Sequence, residues 1–296
     1  MLVRTISGLI GIVILFIVLS QFHTWVFNAV LFALYCIAVF EIQNAFKEDN
    51  VKQTSWVLIA AGFAALILPL NYELNGNSIS IMVFAAGFVV AFAAVVVFNF
   101  EKIKFTSVAS EIAFGLYVLL GFYSILRFKM LLPYTPFGWD GAFLAICAAV
   151  MAWGGDVCAY FSGFLFGKHK LAPKLSPKKT VEGAIGGVIG VVALTWLVMW
   201  VYSIIKPILE HTSQTYAFDA QHMIFMGIIA AMGAVVGMIG DLFASAVKRH
   251  VGIKDYGNIM PGHGGVLDRF DSVILVAPLV SSVIDFIIAS GGVFGV

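Results

Sequence analysis

Charged side chains are scarce in this sequence. They make up 11% of the 296 residues, whereas 61% are hydrophobic and the mean hydropathy is +1.01. Such a composition lies outside the range of soluble globular domains. Apolar runs of about 17–25 residues recur along the chain, and each is long enough to cross ~30 Å of hydrocarbon as a helix. Because a helix satisfies its own backbone polar groups in lipid, the sequence predicts an all-α, polytopic membrane protein.

Three further features are missing from the sequence. The three cysteines lie inside apolar runs without the spacing of metal ligands, so we interpret them as small apolar side chains. The glycine–lysine pattern of a Walker A loop is absent. No clear internal repeat is visible either, which makes a transporter the less favoured interpretation of a polytopic chain.

The apolar runs predict about nine membrane-spanning helices. About five lie in residues 1–135, a framing region, and about four lie in residues 136–296, a catalytic region with polar loops. With nine spans, every basic residue except Arg127, Lys129 and Lys206 falls on the side of the N-terminus. The positive-inside rule then predicts a cytoplasmic N-terminus and a C-terminus outside.

Asp156 interrupts the apolar run of the sixth predicted span. An ionisable group at that depth is costly and usually faces a cavity or a partner. Two interpretations remain open: a functional carboxylate at a polar site, or a carboxylate held by a neighbouring cation for packing alone.

A lysine-rich segment follows the sixth span. Lys174, Lys178 and Lys179 precede Thr180, which can cap the next helix, and Glu182 lies in the first turn of that helix. A cationic loop that enters a helix N-terminus suits a polyanion such as a triphosphate. A lipid-headgroup contact or a role in membrane topology is the alternative.

The densest polar stretch runs from Gly240 to Asp271. On a helix, Asp241, Ser245 and Lys248 share one face, and Asp268 and Asp271 fall at i and i+3 in the first turns of the ninth predicted span. Several carboxylates beside several cations suit Mg²⁺ and phosphate better than they suit a proton path.

The segment PGHGG within that stretch combines a bend with little side-chain bulk, so that backbone N–H groups could approach a phosphate. His263 either donates to a phosphate oxygen, acts in proton transfer, or is a hydrogen-bonded loop histidine. Glu41 and Glu111 receive less weight, as acids near the cytoplasmic interface that snorkel or pair with cations.

The pattern S-A-V-K-R…K-D…G…M-P-G-H-G-G-V-L-D-R-F-D, from Ser245 to Asp271, closely resembles the signature of the phosphatidate cytidylyltransferases, also called CDP-diacylglycerol synthases. The segments AYFSG…FGKHKLAP and SPKKTVEG, between Ala159 and Gly183, resemble the other polar region of that family. A pattern with this many fixed polar positions is far more specific than a short motif.

The resemblance implies transfer of CMP from CTP to phosphatidate, giving CDP-diacylglycerol and pyrophosphate, in a bacterial cytoplasmic membrane. It implies Mg²⁺ as the cofactor, leaves a second cation open, and implies a homodimer in the lipid bilayer with no nucleic-acid partner. Another Mg²⁺-dependent lipid-headgroup nucleotidyl- or phosphotransferase is the alternative, and a transporter is a weaker one.

The resemblance also implies roles for individual residues. The residues expected to act in catalysis are Asp241, Asp268, Lys248, Arg249, His263 and Arg269. The residues expected to bind substrate are Lys178, Lys179, Ser176, Thr180, Ser245, Lys254, Asp255, Gly264 and Gly265. The expected metal ligands are Asp241 and Asp268, with Asp156 and Asp271 completing or orienting the shell.

Overall fold

The computed structural model describes residues 2–46, 52–67, 81–99, 101, 104–212, 216–260, 262 and 264–290. The chain forms two compact units: Met1–Leu126 with His250–Arg269, and Arg127–Arg249 with Phe270–Val296. The division into a framing region, 1–135, and a catalytic region, 136–296, stays a prediction.

Helices make up nearly all of the described chain. In chain order they are α1 (Leu2–Ser20), α2 (Trp25–Ala45), α3 (Lys52–Leu66), α4 (Ile81–Phe98), α5 (Phe105–Leu131), α6 (Tyr134–Phe137), α7 (Asp140–Ala149), α8 (Gly155–Phe166), α9 (Val181–Leu209), α10 (Ala220–His250), α11 (Leu267–Phe270) and α12 (Val273–Ala289). The prediction of a mostly helical protein is confirmed.

Five helical segments in the described chain are long and apolar enough to cross a membrane. They are α2, α5, the continuous segment Asp140–Phe166, α9 and α10. Four shorter apolar helices are also described: Gly8–Ser20, Thr54–Leu66, Gly87–Phe98 and Val273–Ala289. Large apolar side chains on α9, such as Ile189 and Trp200, are exposed on the protein surface, as expected where a helix faces lipid rather than water. The chain is therefore a multi-pass membrane protein.

The segment Asp140–Phe166 is not a regular helix throughout. A π-helical turn, Val150–Gly154, separates α7 from α8. Such a turn inserts an extra residue into the helical ladder, and π-turns occur often at functional sites. Asp156 follows in the first turn of α8, two residues after the π-helical turn.

The lysine-rich segment after α8 forms a β-hairpin, where the sequence predicted a loop. Strand β1 (Lys170–Ala172) pairs antiparallel with β2 (Ser176–Thr180), with Lys170 opposite Thr180. Turn residues 173–175, which include Pro173, connect the two strands. The prediction missed this hairpin because its strands are short and polar, without the alternating apolar pattern of a buried strand.

Helices α8 and α9 approach each other through glycines. A Cβ atom at Gly183 would lie 2.7 Å from the carbonyl oxygen of Ala159, and one at Gly187 would lie 3.1 Å from the Cβ of Ala159. Small residues allow such backbone contact between helices in membranes. Gly183 and Gly187, four residues apart on α9, thus form a small-residue packing surface against Ala159 of α8.

A buried ion pair stabilises the C-terminal end of α9. Lys206 Nζ lies 2.8 Å from Asp140 Oδ1, and the hydroxyl of Tyr202 donates to the same oxygen at 2.7 Å. The ammonium also lies 4.4 Å from the ring centroid of Tyr216. The side chains of the pair are only 5% and 8% exposed, so neither charge is well solvated.

Replacing Lys206 with methionine is expected to lower the free energy of unfolding by about 3–5 kcal/mol, because it leaves the Asp140 carboxylate buried without its cation. Thermal unfolding in detergent would measure the loss. The matched control is the Arg127–Asp285 pair, whose atoms are 2.8 Å apart but whose side chains are 32% and 46% exposed. Arg127→Met should cost about 1 kcal/mol or less, and equal losses for both variants would contradict the prediction.

Candidate active site

Three carboxylates and a lysine form a polar cluster in the second unit. We name it the Lys179 cluster: Asp156 on α8, Lys179 on β2, Asp241 on α10, and Asp271 between α11 and α12. The ammonium of Lys179 is buried, contacts Asp241 Oδ2 and lies 3.9 Å from Asp156 Oδ1. The cluster draws on four segments that are far apart in the sequence, although each had been predicted as polar on its own.

Local structure determines how each member of the cluster is placed. Thr180 caps α9 by accepting a hydrogen bond from the Gly183 N–H at 3.1 Å, so that Lys179 immediately precedes the helix. A Cβ atom at Gly240 would lie 2.7 Å from the carbonyl oxygen of Asp271. The backbone at Asp271 therefore packs directly against α10, beside Asp241.

The sequence predicted Asp268 and Asp271 in the first turns of one continuous helix. In the structure, Asp271 lies outside the helix that contains Asp268. The helix is interrupted after Phe270, and α12 begins at Val273. Asp271 Oδ1 accepts the N–H of Ser272 at 2.7 Å. A short side chain that bonds its neighbouring backbone competes with helical hydrogen bonds, which accounts for the break.

The negative charge of the Asp271 carboxylate is disfavoured by its surroundings. Burial, followed by the charge of the neighbouring Asp241, raises the pKa of Asp271 to about 7, while Lys248 acts in the opposite direction. Burial and the charge of Asp241 thus both oppose ionisation of this carboxyl. A cation bound nearby would favour the charged form.

The donor set of the Lys179 cluster fits a hard divalent cation. Among the residues that the structure describes, no three His, Cys, Asp or Glu side chains are arranged closely enough to hold a metal ion as they stand. The Lys179 ammonium lies where the carboxylates of Asp156 and Asp241 meet. Carboxylate oxygens are nevertheless the ligands that Mg²⁺ prefers. The cluster has three carboxyl groups and one lysine, so a bound cation would meet more acidic than basic groups.

The first unit contains the other part of the signature, in which Asp268 organises a turn. Its Oδ2 atom accepts the N–H groups of Tyr256 at 2.8 Å and Gly265 at 3.0 Å. Gly264 adopts a φ of +86°, in the left-handed region that favours glycine, and a Cβ atom there would lie 2.9 Å from Asp268 Oδ2. We name residues 264–268 the signature turn.

Comparison with known protein families finds a match over nearly the whole chain. The model of the cytidylyltransferase family matches residues 2–287. The chain belongs to the cytidylyltransferase family.

The relatives of this chain include phosphatidate cytidylyltransferases of several bacteria. That of Bacillus subtilis is 31% identical over 282 residues, covering 93% of this chain and 94% of the relative. Those of Staphylococcus haemolyticus and Staphylococcus saprophyticus are each 30% identical, over 283 and 284 residues, covering 95% of this chain and 98% of each relative. The similarity therefore extends well beyond the polar motifs.

The remaining predicted site residues are distributed over both units. In the second unit, Lys178 on β2 and Arg249 at the end of α10 are exposed, whereas Ser176, Ser245 and Lys248 are partly buried. In the first unit, Lys254, Asp255 and Arg269 are exposed and Gly265 is buried. His263 lies outside the described residues.

Two acids that organise the polar segments had not been predicted as site residues. Glu182 accepts the backbone N–H groups of Lys168 at 3.0 Å and His169 at 3.2 Å, and its Oε1 lies 2.6 Å from His169 Nδ1. Glu182 thereby links residues 168–169, which precede the hairpin, to the first turn of α9. Glu41, on α2, binds the backbone of the signature turn. Its isolation in an apolar helix was the only signal in the sequence.

Proposed function

We propose that the protein is a CTP:phosphatidate cytidylyltransferase, which transfers CMP from CTP to phosphatidate and releases pyrophosphate. The observation that carries this proposal is the similarity, over nearly the whole chain, to bacterial relatives named phosphatidate cytidylyltransferase. The Lys179 cluster supports it independently, because it combines the charged groups that a nucleotidyl transfer requires.

The reaction needs positioning more than it needs a base. The phosphate of phosphatidate is already ionised at neutral pH, and its oxygen attacks the α-phosphorus of CTP. A new P–O bond forms, the bond from the α-phosphorus to the bridging oxygen breaks, and pyrophosphate leaves with that electron pair. Two anions must be brought together in line, so the protein has to orient them and offset their repulsion.

The basic residues of the polar segments supply the opposing charge in this proposal. Lys178 and Arg249 are exposed and able to bind a soluble triphosphate. The charge of Lys248 favours the ionised form of Asp271 in the Lys179 cluster. Arg269 and Lys254 are proposed to bind the lipid phosphate or the triphosphate from the signature segment. Ser176, Thr180, Ser245, Asp255, Gly264 and Gly265 remain proposed substrate-binding positions.

We propose Mg²⁺ as the cofactor. Asp241 is the central proposed ligand, with Asp156 and Asp271 of the same cluster, and the sequence pattern adds Asp268. When bound, the ion offsets the charge that develops on the phosphate oxygens. A bound ion would compete with the Lys179 ammonium for Asp156 and Asp241, and Lys179 would then be available to pair with phosphate. A second cation stays a prediction.

We further propose that all nine apolar helices of the described chain cross a bacterial cytoplasmic membrane, with the N-terminus in the cytoplasm and the C-terminus outside. The distribution of Lys and Arg supports this orientation, because it collects the basic segments on the side where CTP is available. A homodimer is proposed on the family resemblance alone.

Purified protein in detergent or vesicles, supplied with labelled CTP, phosphatidate and Mg²⁺, is expected to form CDP-diacylglycerol and pyrophosphate in equal amounts. CTP should be used well above ATP, GTP and UTP, and phosphatidate above an isoprenoid phosphate. Preference for another nucleotide or acceptor would instead indicate a different lipid-headgroup transferase. Solute uptake into vesicles without CTP turnover would indicate a transporter.

A further inference from the structure

Glu41 is a buried carboxylate of α2 that contacts the signature turn. Its side chain is 4% exposed, and it accepts the N–H of Val266 with Oε1 and the N–H of Leu267 with Oε2, both at 2.9 Å. The partners lie 225 and 226 residues away along the chain. A side chain of the second helix is therefore part of the support of a segment near the C-terminal end.

The signature segment is shaped to admit this carboxylate. A Cβ atom at Gly257 or at Gly265 would lie 2.3 Å from Glu41 Oε1, closer than real Cβ contacts come. Glycine at both positions thus leaves room for the carboxylate to reach the backbone. The two glycines and Glu41 form one interlocking arrangement within the first unit.

Two carboxylates divide the backbone donors of the turn between them. Asp268 Oδ2 accepts the N–H groups of Tyr256 and Gly265, and Glu41 accepts those of Val266 and Leu267. Three successive N–H groups, from Gly265 to Leu267, are thereby held on carboxylate oxygens. Hydrogen bonds to a charged acceptor are stronger than neutral ones, and buried N–H groups left without an acceptor are costly. The turn is thus held in one conformation immediately before Asp268 and Arg269.

We infer that Glu41 is a positioning residue for cytidylyl transfer, which acts by holding the signature turn so that Asp268 and Arg269 are presented correctly. This inference rests on the proposed function, in which those two residues belong to the catalytic machinery. It also gives the N-terminal helices a direct part in the reaction, beyond framing the catalytic region and contacting lipid.

The principal test is Glu41→Gln, a substitution that keeps size but places an amide NH₂ against a backbone N–H. The turn should shift, and a misplacement of about 1 Å lowers turnover by up to about 100-fold. We expect kcat for CDP-diacylglycerol formation to fall about 10- to 100-fold. KM for CTP should change less than kcat, because Arg269 is only part of the proposed phosphate-binding set and Lys178 and Lys179 belong to the other unit. Glu41→Asp, which keeps both acceptor oxygens, should recover part of kcat.

The matched control is Glu111→Gln. Glu111 lies in the same unit, is 6% exposed, and accepts a hydrogen bond from Ser55 Oγ on α3 at 3.3 Å. Its loss should lower thermal stability about as much as the loss of Glu41 but leave kcat near the wild-type value. If both variants lose kcat in proportion to their stability, Glu41 is merely structural and the inference is overturned.

Hydrogen exchange provides a readout that does not depend on turnover. In the wild type the amides of Val266 and Leu267 should exchange slowly, and Glu41→Gln should accelerate them while the amides of α9 are unchanged. Fast exchange of these two amides in the wild type would overturn the inference. If Glu41→Gln does not fold, Gly257→Ala, which displaces the carboxylate while retaining it, should show the same loss of kcat and the same faster exchange. Wild-type values in that variant would overturn the inference.

The failure of the inference and the failure of the proposed function are distinguishable. If the wild type forms no CDP-diacylglycerol from CTP and phosphatidate, the proposed function is wrong, whatever the exchange rates are. If the wild type is active and Glu41→Gln matches Glu111→Gln in kcat and wild type in amide exchange, only the positioning role is wrong.

Discussion

Replacing Asp241 with asparagine is expected to lower CDP-diacylglycerol formation by a factor on the order of 10²–10³, the range seen when one preorganised electrostatic group is removed from an active site. Asp241 contacts Lys179, and its charge is the neighbouring charge that most raises the pKa of Asp271. The substitution keeps the shape of the side chain and removes its charge. The cluster would then lose its central proposed ligand without a cavity or a change in packing.

The variant should be compared with Asp285→Asn. Asp285 is also an aspartate of the second unit and also pairs with a cation, since its Oδ2 lies 2.8 Å from Arg127 Nη2. Its removal should leave the reaction rate unchanged in the same assay, with folding of both proteins verified by thermal unfolding. CTP-dependent product formation near the wild-type rate in Asp241→Asn would show that the metal assignment is wrong.

Removing divalent cations with EDTA is expected to stop product formation, and added Mg²⁺ should restore it. The acids of the Lys179 cluster would then repel both substrates, because the ammonium of Lys179, which contacts Asp241 and lies near Asp156, offsets only part of their charge. A ligand that binds only the folded protein also stabilises it, by about 2.7 kcal/mol at 100 times its Kd. Mg²⁺ should therefore raise the melting temperature of the wild type in the absence of substrate.

Two variants of the cluster make the metal prediction specific. Asp241→Asn should lose most of the stabilisation by Mg²⁺, because it lacks the central ligand. Lys179→Met removes the competing ammonium and keeps all three carboxylates, so it should be stabilised by Mg²⁺ at least as strongly as the wild type. Full activity in EDTA, or equal stabilisation of all three proteins, would contradict the proposed site.

Much of the site could be predicted from the sequence because acids and lysines in an apolar chain are conspicuous. Asp156 was identified as a costly charge in an apolar run, Lys179 as part of a lysine-rich segment, and Asp241 and Asp271 as acids of the densest polar stretch. The structure brings these four together. Glu41 was equally conspicuous but was assigned to snorkelling or to pairing with cations. Its partners are backbone N–H groups, which no residue pattern reveals.

The interruptions of regular helix were harder to predict from the sequence, because they also depend on partners that the sequence does not identify. The π-helical turn before Asp156, the β-hairpin that carries Lys179 and the break at Asp271 each depend on tertiary contacts or on local hydrogen bonds that compete with a regular helix. The Asp140–Lys206 pair likewise joins residues that are 66 positions apart. Hydropathy records the probable environment of a residue but does not identify its partner.

The sequence by itself determined that this protein is a polytopic, helical membrane protein and which family it resembles, because hydropathy and motif spacing are local properties of the chain. Only the tertiary structure decided which acid meets which base. It placed Lys179 between Asp156 and Asp241. It also brought the backbone N–H of Val266 in the signature turn to Glu41, a residue 225 positions earlier in the chain. The physical reason is that a buried charge or N–H group must be satisfied by whichever side chain the packing brings within hydrogen-bond distance, and that choice is made by the fold.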